Sequence, residues 1–302
     1  MSKTNNKVSI EELIDTKNNN VRSNTQKGNY ALLQHLKAFC GKKQLSVKNI
    51  DAKFCKDFAS YLTGRMKGSS AKTYLQKLHA LLEDAVFCGY ISYNPMPAID
   101  RMLPRYVPNS KDYLTVNEVK KLELTHCRHQ STKLAFLFSC YTGLRLSDIE
   151  TLRWTDICKQ SNGYLLKKIQ VKTNCEVQVP LGKQAVKILK QVEIKNSQHS
   201  DYVFELASRS TISTDLKTWA NAAGINKNIT FHVSRVTFVT LSIAADVNIY
   251  VVSKLCGHTN VKTTQVYARI IDTTQQDAIM RLDKIFEKKT KAKSIKRNNI
   301  HK

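Results

Sequence analysis

The sequence predicts a two-domain, mainly α-helical chain with one small antiparallel β-sheet, an α+β fold, and three observations lead there. Apolar residues recur at helical spacing through most of the 302 residues. Between about residues 152 and 181 the period changes to two. Pro95, Pro97, Pro104 and Pro108 fall within fourteen residues and separate two patterned regions. The length allows two domains, each able to bury a core.

Residues 1–24 are rich in Asn, Lys and Thr, with a short amphipathic piece at Ile10–Leu13, and read as a flexible polar arm. Leu32, Leu36, Phe39 and Cys40 then repeat at i, i+4, i+7 and i+8, as do Phe54, Phe58, Tyr61 and Leu62. A longer stripe, Ala71, Leu75, Leu78, Leu82 and Ala85, runs to a stop at Gly89. These segments predict an all-helical domain over residues 25–100. The proline-rich stretch with Arg101 and Arg105 predicts an extended linker over residues 101–113.

The second domain, residues 114–288, opens on a capping box, Thr115-Val-Asn-Glu118. An apolar helix around Leu134–Tyr141 ends at Gly143, and a second capping box, Ser147-Asp-Ile-Glu150, predicts a short helix after Arg145. Leu152–Ile157, Tyr164–Val171 and Glu176–Leu181 alternate as strands, the last two joined by Lys172-Thr-Asn-Cys175. Helices are predicted again at Gln184–Val192, at Thr214–Ala223 behind a Ser213 cap, and at His232–Ala245, Ile249–Cys256 and Asp272–Glu287. Residues 289–302 form a basic tail.

The chain carries 48 Lys and Arg against 24 Asp and Glu, a net charge of +24. Such an excess favours a polyanion over a small neutral ligand, and nucleic acid is the obvious one. Each phosphate contact would make binding weaken by about 0.9 decade per decade of salt. No apolar run approaches a membrane span or follows Met1 as a signal, so membrane insertion and secretion are poor readings. The eight cysteines include no CxxC pair and read as free thiols in a reducing cytoplasm, with no metal site. His126, Cys127 and His129 have no second ligand pair and read as a polar loop.

Several polar residues of the second domain stand where chemistry could use them. Arg145 follows a helix-ending glycine, and His232 and Arg235 share a helix face. His258 follows Gly257 past a helix end, with Tyr267 nine residues later. Singly, each is more often structural. Together they describe phosphoryl transfer: two guanidiniums to clamp a phosphate, two imidazoles to donate or move protons, and a phenol to attack phosphorus. No carboxylate cluster suggests Mg²⁺ and no GxxxxGK[ST] suggests ATP, so the chemistry expected is metal-free and cofactor-free transesterification.

These motifs resemble those of the tyrosine recombinases, the phage-integrase family. Thr142-Gly-Leu-Arg145-Leu-Ser-Asp-Ile is similar to its first-arginine motif, and His232-Val-Ser-Arg235 to its HxxR motif. Leu255-Cys-Gly-His258-Thr-Asn and Thr263-Thr-Gln-Val-Tyr267 are similar to its Gly-His and nucleophile segments. The resemblance spans residues 25–288 and points to integrases of mobile elements and Xer-type recombinases. The residue after Arg235, often His in the family, is Val236 here. Residues 1–24 are too few for a separate arm-binding domain.

The resemblance implies a SAM-like core-binding domain and a recombinase catalytic domain. It implies Tyr267 as nucleophile and His232 as its proton acceptor. Arg145 and Arg235 would stabilise the transition state, and His258 would hydrogen-bond a non-bridging oxygen. Lys172 would protonate the departing 5′ oxygen, although Lys167 and Lys168 lie nearby. The implied partners are double-stranded DNA recombination sites, a homotetramer assembled on synapsed DNA from monomers, and accessory directionality factors. The helix at Asp272–Phe286 would dock on a neighbouring protomer, and the setting would be the bacterial cytoplasm at the nucleoid. Two other readings stand beside it: a type IB topoisomerase-like DNA relaxase, and a non-catalytic architectural DNA-binding protein.

Overall fold

The computed structural model describes residues 8–41, 45–96, 112–195 and 200–268. The chain divides into two compact units, Met1–Asn109 and Ser110–Lys302. The expected linker lies almost wholly outside the described residues, as do the helix at 272–287 and the basic tail. Among the described residues no helix is long and apolar enough to cross a membrane.

The first unit is helical. Helix α1 (Ile10–Asn18) starts at a complete capping box, the Ser9 hydroxyl accepting from the Glu12 amide and the Glu12 carboxylate from the Ser9 amide. This corrects the expectation of a flexible arm for residues 8–24. The apolar stripe is short, but Ile10, Leu13 and Ile14 are all buried, and α1 packs on two later helices. Helix α2 (Ser23–Cys40) ends at Gly41, whose φ of 68° releases the chain into a left-handed turn. Helix α3 (Ala52–Thr63) is N-capped by Asp51, and α4 (Gly68–Phe87) supplies Leu75, Leu78 and Leu82 to the core. Phe39 meets Phe54, Phe58 and Tyr61 at ring separations of 5.2–5.4 Å. Each fully buried Phe or Leu contributes about 1.5–3 kcal/mol relative to exposure.

The second unit surrounds α6 (Gln130–Thr142), a helix buried along most of its length from Leu134 to Cys140. Helix α5 (Val116–Leu124) precedes it, behind the predicted Thr115–Glu118 capping box. Helix α7 (Leu146–Ile149) is a single turn whose N-cap is Arg145, one residue pair earlier than the Ser147 expected. The three strands β1 (Ile157–Gln160), β2 (Gly163–Ile169) and β3 (Glu176–Leu181) form an antiparallel sheet in that order. Leu166 pairs with Val179, and both face inward. No strand runs from Leu152 to Ile157: the Asp156 carboxylate accepts from the Arg153 amide at 2.9 Å and from Lys168 at 2.9 Å, folding Trp154–Asp156 into a 3₁₀ turn.

Helices α8 (Lys183–Lys195), α9 (Arg209–Ala222), α10 (Phe231–Ala244), α11 (Ile249–Cys256) and α12 (Lys262–Ala268) complete the unit. Helix α9 begins at a Ser208 cap rather than Ser213, since Ile212 extends the buried stripe of Leu216 and Trp219 by a turn. Phe136 of α6 receives Trp219 and Phe231 edge-on, at 5.8 and 5.7 Å. The hydroxyls of Ser139 and Ser234, 2.6 Å apart and both buried, pin α6 to α10. That pairing fixes the height of Arg235 relative to the end of α6.

Candidate active site

The site begins where α6 ends. Gly143 caps the helix at a φ of 72°, and a Cβ there would lie 2.5 Å from the Phe238 ring and 3.1 Å from Cys256 Sγ. Only glycine meets both constraints. Gly143→Ala is expected to destabilise the second unit by about 2–4 kcal/mol, combining left-handed strain with overpacking. Equilibrium urea unfolding checks this, and an unchanged midpoint would contradict it.

The turn after Gly143 delivers Arg145, whose side chain is 17% exposed. Its Nη1 donates to Gln170 Oε1 at 2.6 Å, and Asp148 Oδ2 stands 4.0 Å away. Arg235, one turn into α10, is 2% exposed. Its Nη1 donates to the Gly143 carbonyl at 2.5 Å and its Nη2 to the Cys256 carbonyl at 2.7 Å. Burial lowers the Arg235 pKa from its usual value, and the nearby Arg145 charge acts in the same direction. A guanidinium nevertheless stays protonated, so two cations share this corner of the unit.

The negative charge facing them is small. Asp148 is fully buried, and its Oδ1 is engaged by the Val171 amide at 2.9 Å. Its Oδ2 has no hydrogen-bond donor among the described residues. Among those residues no carboxylate forms an ion pair with Arg235 within 4.0 Å. The Cys256 thiol cannot serve as a counter-charge, because burial raises its pKa. Among the described residues the two guanidiniums thus outnumber the carboxylates in this corner, a charge balance that an anion would complete.

His258 follows Gly257, where a Cβ would lie 2.6 Å from both Gln170 Oε1 and Val177 Cγ1. The imidazole Nδ1 is 2.8 Å from the Thr264 hydroxyl, which is itself buried on α12. That contact orients His258 from the helix that carries Tyr267. Tyr267 is 2% exposed and packs with Val236, Val239, Val252 and Cys256. His232 is exposed on α10, three residues before Arg235. Lys172 is exposed on the β2–β3 turn, where Asn174 takes a φ of 55°. Lys168 is occupied elsewhere: its Nζ donates to Asp156 at 2.9 Å and to the Thr151 carbonyl.

The structure therefore gathers Arg145, Arg235, His258 and Tyr267 around the Cys256–His258 turn, with His232 and Lys172 on exposed surfaces of adjoining elements. Sequence reasoning overlooked three participants. Asp148 sits three residues beyond Arg145, a spacing that places both on one helical face. Thr264 is three residues before Tyr267 on α12, likewise one turn away. Gln170 shares strand parity with buried Leu166, so the alternation of β2 already turned it inward.

Residues 112–273 match the phage integrase family, and residues 8–102 match the phage integrase SAM-like domain. A tyrosine recombinase of Thermosipho africanus is 31% identical over 255 residues, covering 78% of this chain and 86% of that one. The tyrosine recombinase XerD of Rickettsia conorii is 25% identical over 269 residues, 80% of this chain and 87% of that one. Among solved structures, the Tn1549 transposon integrase in complex with a circular intermediate DNA superposes with a TM-score of 0.71 at 18% identity, covering 91% of this chain and 99% of that one. The XerH site-specific recombinase bound to a difH substrate gives 0.67 at 19% identity, with 82% and 77% covered.

Proposed function

Because the chain belongs to the phage integrase family of tyrosine recombinases, we propose that it cuts and rejoins DNA at specific sites through a 3′-phosphotyrosine on Tyr267, in the service of a mobile element. The observation that carries the reading is the pair of neighbouring guanidiniums, Arg145 and buried Arg235, with the Asp148 carboxylate 4.0 Å from Arg145 and, among the described residues, none paired with Arg235. A phosphodiester supplies the missing negative charge.

The chemistry follows from the residues. The Tyr267 oxygen attacks phosphorus as its proton passes to His232. Arg145 and Arg235 hold the non-bridging oxygens, where charge grows in the transition state. His258, oriented by the Thr264 hydroxyl 2.8 Å from its Nδ1, would donate a hydrogen bond to the same phosphate. Lys172 gives a proton to the 5′ oxygen as the P–O5′ bond breaks. One phosphodiester becomes another, so no nucleotide is consumed and the step reverses onto a new strand. The engagement of Lys168 with Asp156 favours Lys172 as this acid, since Lys172 is the exposed lysine of the turn.

The functional unit would be four protomers on two synapsed DNA sites, assembled from monomers at the nucleoid in the cytoplasm, with accessory proteins setting direction. In the second unit a cavity of about 440 Å³, lined by Val119, Tyr141, Phe238 and Leu241 together with Lys120 and Glu123, would seat a helix of the neighbouring protomer. The first unit, residues 8–96, would grip the duplex as the core-binding domain.

The leaving-group step has a direct test. Lys172→Ala is expected to cleave an ordinary site about 10²–10⁴-fold more slowly, the usual worth of general acid catalysis. A 5′-bridging sulfur leaves without protonation, so that substrate should restore the rate. A loss that persists with sulfur would move the acid to another residue.

A further inference from the structure

One buried amide connects the elements of the cationic site. Gln170 is 1% exposed, one residue past the end of β2. Its Oε1 accepts from Arg145 Nη1 at 2.6 Å and from the Thr173 hydroxyl at 2.8 Å. Its Nε2 donates to the Cys256 carbonyl at 2.8 Å, the oxygen that also accepts from Arg235. Its backbone closes the turn that carries Lys172, through Gln170 N to Cys175 O and Asn174 N to Gln170 O, both 2.9 Å. Gly257, next to His258, has no side chain in the space that Gln170 Oε1 fills.

The partners fix which end of the amide is which. Arg145 can only donate and the Cys256 carbonyl can only accept, so oxygen must face the guanidinium and nitrogen the carbonyl. The amide is also neutral. A carboxylate in its place would bind Arg145 more strongly but would cancel its charge and set an acceptor against the Cys256 carbonyl. Gln170 holds the guanidinium without spending the positive field that a phosphate needs.

We propose that Gln170 is a positioning residue for strand cleavage, an uncharged clamp that aims Arg145 at the scissile phosphate and ties it to the Cys256–His258 turn. The inference rests on the functional reading above. It differs from a packing role in its consequence: loss of the amide should slow the chemical step while DNA affinity and fold stability hold.

The test uses the full chain and a nicked duplex bearing whatever site the unaltered protein captures covalently from a random-sequence DNA pool. Failure of the unaltered protein to capture any duplex would overturn the functional reading and this inference with it. Given capture, Gln170→Met, similar in shape but without the amide, is expected to cleave about 10²-fold more slowly, the scale of a misaimed catalytic group. DNA dissociation constant and thermal midpoint should match the unaltered protein. Gln170→Glu, similar in shape and polar, should be slow as well, because its charge neutralises Arg145. Both losses should persist on the 5′-bridging sulfur substrate, since the defect lies at the phosphate clamp.

Four results would overturn the proposal. These are an unaltered rate in either variant, rescue by the sulfur substrate, which would place the effect at Lys172 alone, a rate loss matched by a fall in DNA affinity or thermal midpoint, and failure of both variants to fold.

Discussion

Tyr267→Phe is expected to bind recombination-site DNA as tightly as the unaltered chain and to form no covalent adduct. The substitution removes one oxygen and leaves the ring, which packs against Val236, Val239, Val252 and Cys256. Packing at α12 should therefore survive, and with it the orientation of His258 through Thr264. The guanidiniums that would meet the phosphate are untouched. What disappears is the atom that bonds to phosphorus, and loss of a covalent nucleophile costs on the order of 10⁶-fold in rate. Denaturing gel analysis of protein linked to labelled DNA reads this directly. An adduct formed by the Phe variant would move the nucleophile to a different hydroxyl.

Much of this architecture was legible in the residue pattern, for identifiable reasons. Stripes such as Leu75, Leu78 and Leu82 leave a helix one buried face, and α4 lies where they place it. Gly143 and Gly257 marked helix ends because a left-handed residue there must lack a Cβ, and both have positive φ. The strand Glu176–Leu181 was found to the residue, since Val177 and Val179 alternate cleanly with exposed neighbours. Failures occurred where side chains compete for the backbone. The Ser/Thr-rich stretch from Ser208 to Thr214 offers several caps, and tertiary burial of Ile212 chose the earliest. Asp156 bent the chain before β1 by recruiting both Arg153 and Lys168. Helix α1 was missed because three apolar residues make a weak periodic signal until a partner surface is present.

The candidate site shows the same division. Arg145, His232, Arg235, His258 and Tyr267 are candidates by type and spacing, which are properties of a sequence. Asp148, Gln170 and Thr264 act through distances to residues far along the chain, 86 positions in the case of Gln170 and Cys256. Their residue types are ordinary on a surface, and only the fold makes them particular.

The two arginines are expected to fail differently when removed, because they are held differently. Arg145 is 17% exposed and, among the described residues, donates one hydrogen bond, to Gln170, so Arg145→Ala should leave a folded protein. Its cleavage rate should fall about 10²–10³-fold, near 2.7–4 kcal/mol, as for the loss of one fixed donor at a developing oxyanion. Arg235 is 2% exposed and satisfies two buried carbonyls, those of Gly143 and Cys256. Arg235→Ala strips the Gly143 carbonyl of this donor and leaves the Cys256 carbonyl its bond from Gln170 Nε2, so it should destabilise the fold by about 1–3 kcal/mol, besides abolishing cleavage. Lysine cannot repair that, since one ammonium on a flexible stem does not reproduce a planar fork between two oxygens. Single-turnover cleavage and urea unfolding on both variants separate these effects. A stable, inactive Arg235→Ala protein would mean that its carbonyl bonds contribute nothing to stability. An active Arg145→Ala protein would mean that the phosphate is held elsewhere, and the clamp assigned to these two residues would have to be given up.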